Sequence, residues 1–256
     1  MEQDAVFRSR IEDKIEQCLG GWYITTTGFL DLHEQSLTRG IAGRVPDLKL
    51  YLYGGYDEAE RRMAIFAPAN LAPAPEDALA MTDPLRAVRI KTVSGGRPLT
   101  HRDYLGSVLG LGLERSVIGD ILVAADGADM IVKPEILQFL LQEYRAVGRT
   151  EIIGAEEIGL DQLRIPEKRV ETVRDTIPSL RLDNVISAVF RISRAEAVRA
   201  IRSGLVYIDH VETDKIDRKV AEGNVLILRG KGKAVLTEVG GESRKGRIWV
   251  TGERYR

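Results

Sequence analysis

The sequence predicts an α+β protein made of successive units, and two patterns support that prediction. In the middle of the chain, strand and helix signals follow the order β-α-β-β-α-β. Nearer the C-terminus, an amphipathic helix, a tight turn and a capped second helix lead into a short strand. A smaller α/β unit precedes both. The chain has 256 residues, enough for several cores, and we expect units at 1–74, 75–163 and 164–256.

The N-terminal unit begins with apolar spacing typical of a helix over Phe7–Leu19, and a second short helix is expected after Asp31. A strand pair is predicted at Leu48–Tyr53 and Arg62–Ala67. The next stretch, Asn70–Glu76, is rich in proline and alanine. We therefore expect a connector and a domain boundary there.

The central unit alternates strands and helices in the order of the ferredoxin-like fold, which RNA-recognition domains (RRMs) also use. The exposed strand aromatics with which an RRM sheet stacks bases are missing from it. We therefore expect this RRM-like unit to be a scaffold or protein-contact domain that touches RNA only through loops. Its predicted elements are a strand over Leu85–Val93, a helix over Thr100–Leu109 capped by Thr100 and Asp103, hairpin strands Ile118–Ala125 and Met130–Lys133 around Asp126-Gly127, a helix over Glu135–Ala146 begun by Pro134, and a strand over Glu151–Glu156.

The C-terminal unit contains the helix pair. Ser193 and Glu196 form an S-x-x-E capping box that starts the second helix, and Gly204 suits the left-handed residue that ends it. Strands are predicted at Val206–Ile208 and, after Gly223, at Val225–Leu228. An apolar face on the first helix is indicated by residues at i, i+3, i+4 and i+7, namely Leu182, Val185, Ile186 and Val189.

Cations gather around this helix pair. A helix N-terminus surrounded by arginines is a phosphate site, so the pattern indicates an RNA-binding module. The alternative is an ordinary solvated basic surface, which is the commoner role for any single lysine. The candidate RNA-binding residues are Arg181, Ser193, Arg194, Arg199 and Arg202 on the helical face, and Arg229, Lys231, Lys233, Arg244, Lys245 and Arg247 on two loops at strand ends.

The charge of the chain is unevenly distributed. The whole chain carries a formal charge of −1, which by itself argues against a nucleic-acid binder. Residues 179–256 nevertheless hold 16 lysines and arginines against 10 aspartates and glutamates, a net of +6, which leaves −7 for the rest. This asymmetry assigns RNA binding to the C-terminal part and allows a protein partner on the acidic N-terminal half.

Several protein classes are excluded by composition. A single cysteine, Cys18, excludes an internal disulfide framework and a cysteine-rich zinc site. The histidines His33, His101 and His210 lie far apart, so no metal site is expected. No signal peptide or transmembrane segment is evident, and we expect a cytoplasmic protein without a cofactor.

Motifs that suggest an enzyme are weak. The triplet His101-Arg102-Asp103 matches a kinase catalytic loop, but the other kinase motifs are missing. Gly110 and Gly112 follow a helix rather than joining a strand to a helix, so they do not form a dinucleotide fingerprint. We interpret the chain as non-catalytic, with no catalytic residues.

The C-terminal pattern closely resembles the S4 domain, an RNA-binding module named after a small-subunit ribosomal protein. The matching positions are Arg181-Leu182-Asp183, Ser193-Arg194, Ala197, Ile201, Gly204 and Val206–Ile208. Two positions depart from the pattern. Asp209-His210 replaces the usual Asn-Gly, and Asn224 stands where Asp is common.

Motifs upstream resemble the bacterial YlmH family: Gly54–Arg61, His101–Gly106, Leu111–Arg115 and Ile118–Ile121. The resemblance implies an N-terminal unit, an RRM-like central domain and a C-terminal S4 domain. It implies binding to ribosomal RNA of the large subunit and possible contact with peptidyl-tRNA, in quality control of obstructed subunits. The family is also linked to cell division, and a related branch carries a photosystem label. The residues do not choose between these branches.

Two alternatives remain open on the sequence. One is a cell-division or photosystem-linked scaffold in which RNA binding is incidental. The other is an RNA-modifying enzyme whose site is not evident from motifs. A perturbed carboxylate or histidine in a pocket beside the basic face would favour the enzyme, and a large exposed apolar patch on residues 1–160 would favour the scaffold.

Overall fold

The computed structural model describes residues 2–93, 96–166, 170–209 and 211–255. The chain divides into two compact units, Met1–Pro166 and Glu167–Arg256, which we call the first unit and the second unit.

The first unit begins with a small sheet in the order β1-β3-β2, in which every pairing is antiparallel. Helix α1 packs on it through Ile11, Ile15 and Cys18, and helix α2 through Ala42, against Ala64 and Phe66. Asp31 caps α2 in a capping box with Glu34, as the expected helix start requires. The elements are α1 (Glu2–Gly21), β1 (Thr25–Leu30), α2 (Leu32–Ala42), β2 (Leu48–Tyr53) and β3 (Arg62–Pro68).

Two elements of this region differ from the sequence prediction. Strand β1 was not expected, because its threonine-rich sequence has weak apolar alternation, and its pairing with β3 across more than thirty residues stabilises it. The predicted connector also ends in a helix, α3 (Pro75–Thr82). Pro75 occupies its first turn, and the Asp77 carboxylate accepts a hydrogen bond from the Ala74 N–H at 3.1 Å.

The central sheet follows, in the order β5-β6-β4-β8-β7 with antiparallel pairing throughout. Helix α5 is shorter than predicted because Pro134–Ile136 form a 3₁₀ turn and Tyr144 adopts an extended conformation. Strand β6 begins at Gly127, where an added Cβ would lie 1.8 Å from the Ile90 carbonyl oxygen. The elements are β4 (Arg86–Thr92), α4 (His101–Leu109), β5 (Ile118–Ala124), β6 (Gly127–Val132), α5 (Leu137–Glu143), β7 (Ala146–Val147) and β8 (Thr150–Ile158).

The central sheet is covered on both faces. Helices α4 and α5 cover one face, where Val88, Ile90 and Met130 are buried. On the other face Ile131 packs with Phe29 and with residues that follow β8. An RRM leaves its second face open to stack bases. Here that face is largely occupied by the protein itself.

The second unit forms a sheet in the order β11-β10-β12-β13-β14-β9, antiparallel throughout, with α6 and α7 on one face. Strands β10 and β12 have the predicted bounds, and Gly204 ends the helix pair at φ +66° as expected. The elements are β9 (Val170–Ile177), α6 (Leu182–Phe190), α7 (Arg194–Arg202), β10 (Val206–Ile208), β11 (Val211–Glu212), β12 (Val225–Leu228), β13 (Gly232–Glu242) and β14 (Ile248–Tyr255).

Candidate nucleic-acid interface

Helices α6 and α7 differ in how much of their surface they bury. The predicted apolar face of α6 is buried, and so is most of the remaining helix, including Asp183 and Asn184. Helix α7 buries only Ala197 and Ile201 among its described side chains, at less than 1 % exposure each. Helix α7 therefore has an exposed face, and the buried helix α6 fixes the position of α7.

The N-terminus of α7 is closed by its own capping box. The Ser193 hydroxyl oxygen accepts a hydrogen bond from the Glu196 N–H at 3.2 Å. The Glu196 carboxylate accepts from the Ser193 N–H and hydroxyl, both at 2.8 Å. These bonds, together with the nearby charges of Arg199 and Lys231, hold the pKa of Glu196 below its ordinary value. Ser193, a predicted RNA contact, thus uses its hydroxyl to start the helix.

Asp183 organises the arginines at the start of both helices. Its carboxylate is 1 % exposed and accepts hydrogen bonds from Arg181 Nε at 3.1 Å and from Arg194 Nε and Nη2 at 2.9 and 2.8 Å. Burial alone would raise the pKa of Asp183, but the bonds from the arginines outweigh it and lower that pKa. Asp183 therefore stays ionised and fixes both guanidinium groups.

Both arginines still reach solvent. The Arg194 side chain is 60 % exposed and the Arg181 side chain 38 % exposed. A guanidinium has five N–H donors, so each group can bind the buried carboxylate and a phosphate at once. Sequence reasoning included both arginines but did not assign this role to Asp183, although Asp183 lies in the same motif.

The structure separates the other predicted cations into two groups. Arg199 and Arg202 are exposed on the last turn of α7, and Lys231 acts on Glu196 from the β12–β13 turn. Arg244 and Lys245 are exposed in the β13–β14 turn, at the opposite end of that long hairpin. At about 3.3 Å per residue the two ends are roughly 30 Å apart. The two loops therefore do not form one site.

The remaining predicted cations make contacts within the sheet. Arg229 lies over the Tyr207 ring at 5.0 Å, and Lys233 lies over the Tyr255 ring at 5.6 Å. Arg247 donates to the Thr176 hydroxyl at 3.0 Å and to the Thr176 carbonyl. Arg247 is thus held against β9 by Thr176, although the residue remains exposed.

One loop adds cations that sequence reasoning missed. Lys219 forms a β-bridge with Arg181, and the Arg218 carbonyl accepts the Leu182 N–H at 2.8 Å. Lys215, Arg218 and Lys219 are all exposed beside the start of α6. The signal was weak because Asp214 and Asp217 alternate with them, so the segment looks neutral in sequence.

The two departures from the S4 pattern contact each other. Asn224 donates its side-chain amide to the Asp209 carboxylate at 2.6 Å, and the Val225 N–H donates to the same carboxylate at 2.8 Å. An amide–carboxylate contact thus joins the two positions that depart from the S4 pattern. Asp209 adopts φ +49°, a conformation that Asp and Asn tolerate. The neighbouring His210 lies outside the described residues.

The upstream motifs converge on Asp120 in the first unit. Its carboxylate accepts the Tyr56 hydroxyl at 2.9 Å and the N–H groups of Glu60 and Arg61 at 2.7 and 3.0 Å. Arg61 donates to the Phe29 carbonyl at 2.7 Å, and Arg115 donates to the Ile118 carbonyl at 2.6 Å. Burial, and then the charge of Arg61, lowers the pKa of Arg115 to about 10. This Asp120 junction joins the β2–β3 loop to β5.

The enzyme-like motifs have structural roles. Asp103 accepts the Arg97 guanidinium at 2.6 Å and the Thr100 N–H at 2.8 Å, which holds its pKa below the ordinary value and caps α4. His101 is exposed at the start of α4, and partial desolvation of its ring, followed by the charge of Arg115, lowers its pKa. Cys18 is buried, and burial raises its pKa. Across the described ranges, no group of three or more His, Cys, Asp or Glu side chains is placed to hold a metal ion.

Comparison with known proteins agrees with this arrangement. Residues 180–226 match the S4 domain family, and residues 85–160 match the family described as "Putative RNA-binding domain in YlmH". Over 230 residues the chain is 33% identical to "Ribosome-associated protein quality control protein P2" of Bacillus subtilis (strain 168), covering 90% of this chain and 87% of that protein. The chain belongs to the YlmH family of S4-domain RNA-binding proteins.

A solved structure of another YlmH protein shares the fold. "Cell division protein ylmH from Streptococcus pneumoniae" superposes with a TM-score of 0.52 at 22% identity, over 64% of this chain and 95% of that chain. As a member of the YlmH family, this protein has an RNA-binding S4 domain in its C-terminal part. None of the described helices is long and apolar enough to cross a bilayer.

Proposed function

We propose that this YlmH-family protein is a non-catalytic factor that binds ribosomal RNA of the large subunit through α6, α7 and the adjoining turn. It would act in the cytoplasm on obstructed subunits that still hold peptidyl-tRNA. The observation that carries the proposal is the Asp183 cluster, which fixes the exposed guanidinium groups of Arg181 and Arg194 side by side. The ribosome-associated role in the name of the Bacillus subtilis relative supports the choice of RNA.

The charge geometry suits duplex RNA. The deep major groove of A-form RNA is closed to side chains, so proteins bind its phosphates, 2′-hydroxyls and loops. Arg181 and Arg194 sit at the start of the helices, Arg199 and Arg202 along α7, and Lys231 at the β12–β13 turn. Cations spread along an edge of this kind can follow a phosphate backbone without reading the bases.

The first unit would have a supporting role. Its element order and its strand order β5-β6-β4-β8 support a ferredoxin-like, RRM-like assignment for the central sheet. The face that an RRM uses is occupied by Phe29, Met63 and the segment after β8. We expect RNA contact from its loops at most, and a protein partner on its acidic surface.

The side chains with shifted pKa values in the first unit fit a binding role without catalysis. Burial and the Asp120 carboxylate raise the pKa of Tyr56, and Arg115 caps backbone carbonyls. Both groups hold the Asp120 junction together. An RNA-modifying enzyme would need an acid or base poised to transfer a proton beside the basic face. The carboxyl groups with shifted pKa values there, Asp183 and Glu196, have lowered pKa values and are engaged by arginine and serine donors, which suits a binding role.

The direct test reverses charge on α7. Arg199 and Arg202 are three residues apart on one side of the helix, and both are exposed. Changing both to Glu should alter the free energy of unfolding by about 1 kcal/mol or less. Affinity for an RNA hairpin should fall at least about tenfold, and the slope of log affinity against log salt, expected at about −3 to −5, should become shallower by about 2.

Arg194 is unsuited to that test, because Glu at this position would face the buried Asp183 carboxylate and destabilise the fold. The matched control is Arg8→Glu with Arg10→Glu, which reverses two exposed charges on α1. The control should bind the hairpin and co-sediment with large subunits like the wild type. Unchanged hairpin affinity and co-sedimentation in the folded Arg199→Glu, Arg202→Glu variant would show that this face is not the RNA site.

A further inference from the structure

The outer face of the second-unit sheet carries aromatic side chains in a line. Tyr207 pairs with Ile227, Ile227 with Lys233, and Lys233 with Tyr255, each directly across adjacent strands. Directly paired residues of antiparallel strands point to the same face. These four side chains, of which Tyr207 and Tyr255 are aromatic, cross β10, β12, β13 and β14, and we call them the aromatic row.

Strand alternation shows which face this is. The neighbours of the row along each strand are buried against α6 and α7, namely Val206, Ile208, Leu226, Leu228 and Ala234. Arg254, the neighbour of Tyr255, lies over the buried Phe190 ring. The aromatic row must point away from the helices. Within the second unit its rings are only partly buried.

Cations accompany the row. The Arg229 guanidinium lies 5.0 Å from the centre of the Tyr207 ring, and the Lys233 ammonium lies 5.6 Å from the centre of the Tyr255 ring. Two carboxylates lie at the rims of the rings: Glu212, which pairs with Tyr207 across the strands, is 3.4 Å from its hydroxyl, and Glu253 is 3.5 Å from the Tyr255 hydroxyl. Aromatic rings flanked by cations bind unpaired bases by stacking while the cations meet the phosphates.

The row is continuous with the helical face. Arg229, Lys231 and Lys233 alternate along the β12–β13 turn, and the Arg229 N–H donates to the carbonyl of Leu205, just after α7, at 2.9 Å. The turn therefore leads from α7 to the aromatic row. An RNA strand that leaves a duplex held on α7 would meet these cations in succession.

We propose that the aromatic row is a stacking platform for unpaired bases of an RNA strand that extends from the duplex bound on the helical face. The proposal rests on the RNA-binding function proposed above and deepens it by assigning a second contact to single-stranded RNA. The charges favour RNA as the occupant, since the three cations Arg229, Lys231 and Lys233 on or beside the row outnumber the two carboxylates at the rims of the rings. The platform would bind RNA without sequence specificity, because every base has an aromatic face.

A second aromatic on the same face serves as a control. Trp249 is 39% exposed with Arg174 at 5.0 Å from its ring, near the other end of β14. The Glu238 carboxylate stands on the outer face between Trp249 and the row, by its pairing with Thr251. It would repel a phosphate backbone there, so Trp249 should not belong to the platform.

The test compares a blunt RNA hairpin with the same hairpin carrying a short single-stranded oligouridine extension. Full-length wild-type protein should bind the extended hairpin at least about tenfold more tightly. Tyr207→Leu with Tyr255→Leu should lose that gain and bind both probes equally. Tyr207→Phe with Tyr255→Phe, which keeps the rings, and Trp249→Leu should retain the gain.

Photocrosslinking of 5-iodouridine in the extension to the wild-type protein tests the platform without a variant, and should label Tyr207 or Tyr255. If the wild type binds both probes equally, or if the crosslinks fall only on Trp249, the platform is wrong while the helical face stands. If the wild type does not bind the blunt hairpin at all, the proposed function itself fails.

Discussion

Each unit contains a buried aspartate whose carboxylate accepts hydrogen bonds from arginines. In the first unit Asp129, 0% exposed, binds Arg89 at 2.8–2.9 Å and Arg164 at 2.7 Å. In the second unit Asp183, 1% exposed, binds Arg181 and Arg194 at 2.8–3.1 Å. In both places, burial would raise the carboxyl pKa, but the arginines lower it.

The two clusters differ in where the arginines point. Arg164 also donates its backbone N–H to Asp129 at 2.9 Å and its side chain to Asp126, and Arg89 also donates to the Gln162 carbonyl at 2.7 Å. These bonds tie the segment after β8 to the central sheet, where Arg89 and Arg164 are 20% and 30% exposed. The same kind of ion pair thus holds a segment against the central sheet in the first unit, and holds exposed cations in place in the second unit.

The largest expected effect is on stability at Asp129. Asp129→Ala leaves Arg89 and Arg164 without their shared buried carboxylate, so the free energy of unfolding of the first unit should fall by about 3–5 kcal/mol. Urea denaturation of the full chain, with hairpin binding measured in parallel, checks this. RNA affinity should stay within about twofold wherever the protein is folded.

The control at this cluster is Asp126→Ala, which removes the exposed partner of Arg164 and should cost less than about 1 kcal/mol. Equal losses in the Asp126 and Asp129 variants would contradict the view that burial decides the strength of the Asp129 cluster.

A smaller stability effect with a functional consequence is expected at Asp183. Asp183→Asn keeps the shape but removes the charge, and its arginines can turn to solvent, so the second unit should lose about 2 kcal/mol. Because Arg181 and Arg194 would no longer be fixed, hairpin affinity should fall about fivefold in spite of the added positive charge. An unchanged or tighter affinity would contradict the proposed difference between the two clusters, since Asp183 would then have only a structural role.

Acid should weaken both clusters. The folded pKa values of Asp129 and Asp183 lie below the ordinary value of about 3.9, so the stabilisation is complete above that value and is lost as pH falls below it toward the folded pKa. Each aspartate should contribute a slope of up to about 1.4 kcal/mol per pH unit there. Unfolding measured from pH 6 to pH 2.5 should show this slope, and Asp129→Ala should flatten it for the first unit alone.

Much of the second unit was predictable because its signals are local. The capping box of Ser193 and Glu196 spans four residues, and Gly204 ends α7 through its own backbone conformation. Strands β10 and β12 follow from short apolar runs bounded by turn residues. Strand β1 was missed because its main support is a partner strand far along the chain.

The sequence by itself determined the order of the elements, the helix pair with its cap and stop, and the positive charge of the C-terminal part. Those properties depend on residues within a few positions of each other or on composition. Only the tertiary structure decided which charged side chains are held in internal contacts and which are presented to a ligand. Asp183 meets Arg194 across a turn, and Tyr207 and Tyr255 come into line through three strand pairings. Such contacts depend on sheet register and burial, which no local pattern in the sequence specifies.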